Sequence, residues 1–234
     1  MNDKYTESDI HVKSPFLEKL DNFWFYYKAH VLVIAFVMLV LSVCIVQSCS
    51  RESEDVLVLY SGQASFSPSA FELIEDELSG VVPADFDGDG VKNAGFVAYN
   101  VMSEEQILER ERELETTLNR SYYTEQYQIY SKYITSGECA VFLLEPWLYE
   151  AIISQEVNIL RPLSEVMAKV PESAVGEYGI KFSETALYKN SECLSQLPED
   201  TVLCFSRPMV MSNGSGNAKK YSQMTAMFVA MAQE

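Results

Sequence analysis

The 234-residue chain carries 34 acidic and 17 basic residues, a formal net charge of −17, and its 48% apolar content suits a packed core rather than disorder. The imbalance is concentrated in residues 51–234, where 29 acidic residues face 13 basic ones. A surface this negative repels phosphate backbones and anionic headgroups, so nucleic acid is excluded as a partner of the folded part and adhesion of that part to a membrane is disfavoured. Solubility accounts for the charge as well as capture of a cationic ligand does.

Ala29 to Val46 form 18 residues without a formal charge, enough for about 27 Å of helix and close to the thickness of a bilayer core. Phe23, Trp24, Phe25, Tyr26 and Tyr27 precede this stretch and suit the headgroup boundary, where Lys28 can snorkel. Lys13, Lys19 and Lys28 lie before the span and only Arg51 lies close after it, which predicts a cytoplasmic N-terminus. Upstream, Ser14 and Pro15 read as a helix start, and Phe16, Leu17, Leu20, Phe23 and Trp24 as an apolar stripe, so an amphipathic helix is predicted to lead into the span. The expected organisation is a cytoplasmic tail with this juxtamembrane helix over residues 1–28, a transmembrane signal anchor over 29–49 and an extracytoplasmic domain over 50–234. A cleaved signal peptide is the rival, with an acidic, aromatic lead-in that makes a poor n-region. Ser48-Cys49 leaves a lipid attachment route open, although Gln47 fits a lipobox poorly.

Beyond the span, Val56–Tyr60 is an apolar, β-branched run ending at Ser61-Gly62, which reads as a buried parallel strand. Ser67-Pro68 is a cap followed by proline, opening a helix with Phe71, Ile74, Glu75 and Leu78 on one side that stops at Gly80. Phe96–Val101 is the second strand, and Ser103 with Gln106 forms a capping box for a helix with Ile107, Leu114 and Leu118 in a stripe. Another helix starts near Tyr122 and closes at Gly137, before a third strand, Ala140–Leu144, cut by Pro146. Trp147, Leu148, Ile152 and Ile153 belong to a short helix and Pro162–Val170 to another. Thr201–Phe205 reads as a late strand, Asn213–Asn217 as a flexible loop, and Lys219–Ala232 as a final helix with Tyr221, Met224, Phe228 and Met231 on one face. This alternation predicts an α/β domain with a largely parallel sheet covered by helices on both faces.

The aromatic lead-in FWFYYKAHVL, the span, the strand VLVLY, the DFDGDG loop and the segment YSKYITSGECAVFLL together resemble a group of membrane-anchored, extracytoplasmic proteins of Gram-positive bacteria. Their outer domains are similar to type 2 periplasmic solute-binding proteins, and the segment Tyr130–Glu145 is similar to the step in such proteins that leads into a strand near the ligand cleft. The resemblance implies a reduced or single-lobe version of that fold and a binding or sensory role.

The two histidines, His11 and His30, both precede the outer domain. Ser-His-Asp and Cys-His nucleophile systems need an imidazole to move the proton, and common zinc sites need imidazole or clustered thiolate, so residues 51–234 lack the means for either. There is no P-loop, nucleophile elbow or dinucleotide fingerprint, and no spacing singles out a carboxylate pair, so an enzyme is not expected. The five cysteines include Cys139, Cys193 and Cys204 in the outer part; Cys193 and Cys204 could pair, but their apolar neighbourhoods suit buried thiols.

Asp85, Asp87 and Asp89 followed by Gly90 place alternating carboxylates as in a calcium loop, with the Val91 carbonyl and Asn93 next in order; Phe96 stands where a bidentate glutamate is required. The same residues also suit an acidic turn closed by Asp side chains on backbone amides, without metal. Tyr122, Tyr123, Tyr127, Tyr130 and Tyr133 could form a stacking platform, while Tyr123, Tyr127, Tyr130 and Ile134 share a face that packing explains more simply. Parallel-sheet proteins place ligands beyond strand carboxyl ends. That rule nominates Ser61, Gly62, Ser65 and Ser67 after the first strand, Glu145 and Trp147 after the third, and Arg207 after the late one. The function expected is a membrane-tethered binding or sensory module for a small solute or peptide; the alternative is an interaction protein of an envelope complex with no small-molecule ligand.

Overall fold

A computed structural model describes residues 15–49, 54–86, 88–155, 159–207 and 215–233. It divides into two compact units, residues 1–52 and 53–234. In the first, Pro15–Cys49 is one uninterrupted helix, α1, so the predicted lead-in helix and span are continuous. Its Phe23–Cys44 stretch is long and apolar enough to cross a membrane. Its large apolar side chains are exposed around the helix, the pattern of a span or signal sequence rather than of a helix packed in a soluble core. Ser14, Lys13 and Arg51, on which the helix start and the orientation rest, lie outside the described residues.

The second unit is a six-stranded sheet in the order β2-β1-β3-β6-β5-β4. β1 (Val56–Gly62), β2 (Ala94–Asn100) and β3 (Val141–Leu144) run parallel, with β1 between the other two. β6 (Val202–Phe205), β5 (Gly179–Lys181) and β4 (Ala174–Val175) then join antiparallel, each to its neighbour. The sheet is therefore mixed, which corrects the expectation of a largely parallel one. β4 and β5 are two and three residues long, too short for alternation to mark them, and Gly176 at φ 64° makes the tight turn between them.

Helices cover both faces, as expected, and the strands alternate between them. Val56, Val58 and Tyr60, Val141 and Leu143, and Leu203 and Phe205 face α2 (Pro68–Ser79) and α8 (Ser215–Met231). Leu59, Phe142, Leu144, Val202 and Cys204 face α4 (Arg120–Ser136) and α5 (Pro146–Ile153). Met224, Phe228 and Met231 make the predicted inward face of α8, joined by Met227. α2 starts as predicted, with Ser67 Oγ accepting from the Ala70 amide and Pro68 at its first position. α3 (Glu104–Leu114) starts with the predicted Ser103–Gln106 capping box.

Several local expectations fail. α3 ends at Leu114, where Glu115 adopts φ 50°, so Leu118 lies outside the helix and Leu114 is 51% exposed instead of sharing a buried stripe with Ile107. The Pro162–Val170 helix shrinks to α6, Leu163–Val166. On α4 the inward positions are Tyr130 and Ile134 with Tyr133 packed beside them, whereas Tyr127 is exposed. The Asn213–Asn217 loop is partly outside the described residues, and Ser215–Asn217 already belong to α8. The chain between β5 and β6 folds into short turns and α7 (Ala186–Asn190), which sequence periodicity does not reveal. Cys139, Cys193 and Cys204 are buried free thiols.

Candidate functional site

β1 is followed by α2 on one face of the sheet and β3 by α5 on the other. The neighbouring carboxyl ends of β1 and β3 therefore diverge, which is the topological switch where open α/β sheets form a crevice. Here the crevice is filled by the chain itself. Glu145, the residue after β3, is only 2% exposed. Its Oε1 accepts from the Gln63 amide at 2.6 Å, and its Oε2 accepts from Gln106 Nε2 at 2.6 Å and from Trp147 Nε1 at 3.2 Å. One carboxylate thus joins the loop after β1, the first turn of α3 and the start of α5. A buried carboxylate that accepts three donors is satisfied by hydrogen bonds to its charged form without needing a cation.

Gly62 makes this approach possible, since a Cβ there would fall 2.5 Å from the Tyr60 hydroxyl and 2.7 Å from Glu145 Oε1. The Tyr60 hydroxyl accepts from the Ala64 amide at 3.2 Å; burial keeps it protonated far above the usual phenol range, and the charge of Glu145 adds to that effect.

Of the predicted residues, Ser61 is wholly buried in β1, and its carbonyl accepts from the Glu145 amide. Ser67 is the cap of α2, bonded also to Ser69 at 3.0 Å. Trp147 donates to Glu145 and does not offer its indole N–H to a ligand. Arg207 is removed from the site: β6 is antiparallel to β3, so its carboxyl end lies at the opposite end of the sheet, and Arg207 Nε donates to the Leu160 carbonyl at 2.9 Å. Ser67 and Arg207 are exposed, but of the predicted set it is Ser65 that lines a hollow.

That space is a cavity of about 490 Å³ one strand over, above the carboxyl ends of β1 and β2. Gln63, Ser65, Asn100, Arg110, Tyr123 and Gln196 bring polar groups to it, and Met102, Leu114 and Leu118 supply apolar wall. The exposure of Leu114 is the consequence of lining this hollow. Asn100 spans its floor, with Nδ2 donating to Ser65 Oγ at 2.6 Å and to the Gln63 carbonyl at 3.3 Å. The Asn100 Oδ1 atom is buried and accepts no hydrogen bond among the described residues, an unmet acceptor of the kind an ordered water satisfies. Asn100 was legible in principle, because the carboxyl-end rule applied to the second strand names it as readily as it names Ser61. Gln196 and Pro198 come from the irregular stretch before β6, and no sequence signal places them there.

No protein-family model, curated protein or solved structure matches this chain. The site is therefore defined by its own geometry.

The Asp85–Asn93 loop is closed by its own backbone. Asp85 Oδ1 accepts from the Gly88 amide at 2.6 Å and Oδ2 from the Gly90 amide at 2.9 Å, while Asp89 Oδ1 accepts from the Val91 amide at 2.8 Å. Asn93 turns to Asp55, whose amide donates to Asn93 Oδ1 at 3.0 Å. Among the described residues, which leave out Asp87, no group of three acidic, histidine or cysteine side chains is arranged to hold a metal.

Proposed function

We propose that this chain is a membrane-tethered, extracytoplasmic binding module that takes a small polar solute in the cavity between the carboxyl ends of β1 and β2 and α3. The observation that carries the proposal is the Asn100 side chain, bonded to Ser65 and Gln63 in the lining of a cavity whose volume, about 490 Å³, falls within the range of small-molecule sites. Amides, hydroxyls and one guanidinium supply directional contacts, and the leucines and Met102 supply desolvation. The apolar helix supports tethering, and Lys19 and Lys28 ahead of its uncharged Ala29–Val46 run support a cytoplasmic N-terminus, as does the sequence resemblance to anchored outer-domain proteins.

Native mass spectrometry of the full chain, extracted from membranes in a mild non-ionic detergent, tests the site. A retained small molecule is expected, and Asn100→Leu, which removes the floor amide at similar volume, is expected to lose it. Retention of no molecule by the wild type, or equal retention by the variant, refutes the site. Proteolysis on intact cells tests the tether separately, with residues 54–234 expected to be cleaved without lysis.

A further inference from the structure

A second hollow lies apart from the solute cavity, between α5 and the antiparallel strands. It encloses about 420 Å³, and its walls are Pro146, Tyr149 and Ile153 of α5, Val175 of β4 and Val202 of β6. The Tyr149 hydroxyl donates to the Val175 carbonyl at 2.7 Å, so the ring presents hydrocarbon to the hollow and its polar end is already engaged. Ile153 is 38% exposed at the rim, a large side chain that the core leaves uncovered.

The charges at the mouth are unequal. Glu150 and Asp200 are exposed carboxylates that form no ion pair among the described residues. Lys181, the one cation in the lining, has Glu184 3.9 Å from its ammonium. An apolar floor under a net negative rim disfavours anions, and a bare inorganic cation would leave the floor unfilled. The matching occupant places hydrocarbon on the floor and positive charge at the rim.

We propose that this hollow docks a short segment of a partner protein in which lysine or arginine alternates with aliphatic residues. Such a segment seats aliphatic side chains against Tyr149, Val175 and Val202 and sets its cations beside Glu150 and Asp200. The lining comes from three separate chain segments: α5, the β4–β5 hairpin and the start of β6 with Asp200 before it.

The test uses the full chain in non-ionic detergent and two fluorescently labelled pentapeptides, valine-lysine-leucine-lysine-valine and its counterpart with glutamates for lysines. Anisotropy at moderate salt is expected to show the cationic peptide binding at least about tenfold more tightly than the acidic one. Glu150→Lys with Asp200→Lys is expected to reverse that preference, and Ile153→Ser to weaken the cationic peptide about fivefold. Glu109→Lys with Glu125→Lys makes the same change of net charge on exposed positions away from the hollow. Equal loss with this control pair assigns binding to the overall acidic surface and overturns the proposal, as does failure of the wild type to prefer the cationic peptide. Asn100→Leu is expected to leave peptide binding unchanged, which separates this site from the solute cavity.

Discussion

The parallel strands β2, β1 and β3 each end in a polar residue or loop that takes part in one connected hydrogen-bond system, through Asn100, Gln63 and Glu145. The antiparallel strands β6, β5 and β4 are four, three and two residues long, and they pack apolar side chains against α8 and α5. In the parallel half the βα connections leave the sheet in opposite directions and open space that polar groups must line. The antiparallel half closes the sheet and supplies side chains that seal it. Directional chemistry therefore gathers over one half and hydrophobic stabilisation over the seam between them.

That division implies different responses to substitution. The largest loss is expected at the seam: Phe205 is fully buried and its ring packs 5.2 Å from those of both Tyr221 and Phe228. Phe205→Ala should cost about 3–5 kcal/mol, read as a lower urea midpoint in a single transition. Two separated transitions would mean that the halves fold independently.

Glu145→Leu strands the Gln63 amide, the Gln106 side chain and the Trp147 indole, and should cost roughly 2–3 kcal/mol. In a Trp24→Phe background it should also shift Trp147 fluorescence. Arg207→Ala, at the other end of the sheet, should change stability by less than about 0.5 kcal/mol. A matching loss for Arg207 would refute the separation of the two ends.

Buried thiols test both halves by pH. Burial raises the Cys139 pKa from 9.0 to about 12, and burial pushes Cys204 of β6 up as well. A group whose folded pKa is raised contributes its full stability below its unfolded value, here 9.0, and loses it as pH rises toward the folded one. Chemical denaturation should therefore show stability falling from pH 9 toward pH 12, by at most about 1.4 kcal/mol per pH unit from Cys139, with a shallower fall in Cys139→Val.

The smallest effects lie at loop closures. Ser67→Ala should cost about 1 kcal/mol through the lost cap of α2. Asp85→Ala should cost a similar amount, about 1 kcal/mol, through two lost amide bonds. The Asp85 carboxylate is occupied by its own loop, so millimolar calcium should leave the wild-type thermal midpoint unchanged; a rise abolished by Asp85→Ala would establish a calcium site.

The sequence by itself determined the apolar helix, the three parallel strands, the caps at Ser67 and Ser103, the final helix and the lack of imidazole in residues 51–234. Each rests on local periodicity, a local cap or simple composition. Tertiary structure alone decided the reversal of β6, which carried Arg207 to the wrong end of the sheet, because strand direction depends on where the intervening chain returns and leaves no mark within a four-residue apolar run. It also decided that Glu145 fills the crevice instead of lining it, because that depends on Gln63, Gln106 and Trp147 converging from three elements. Glycine at position 62 hinted at the close approach, but only the fold could say that the approaching group was the protein's own carboxylate.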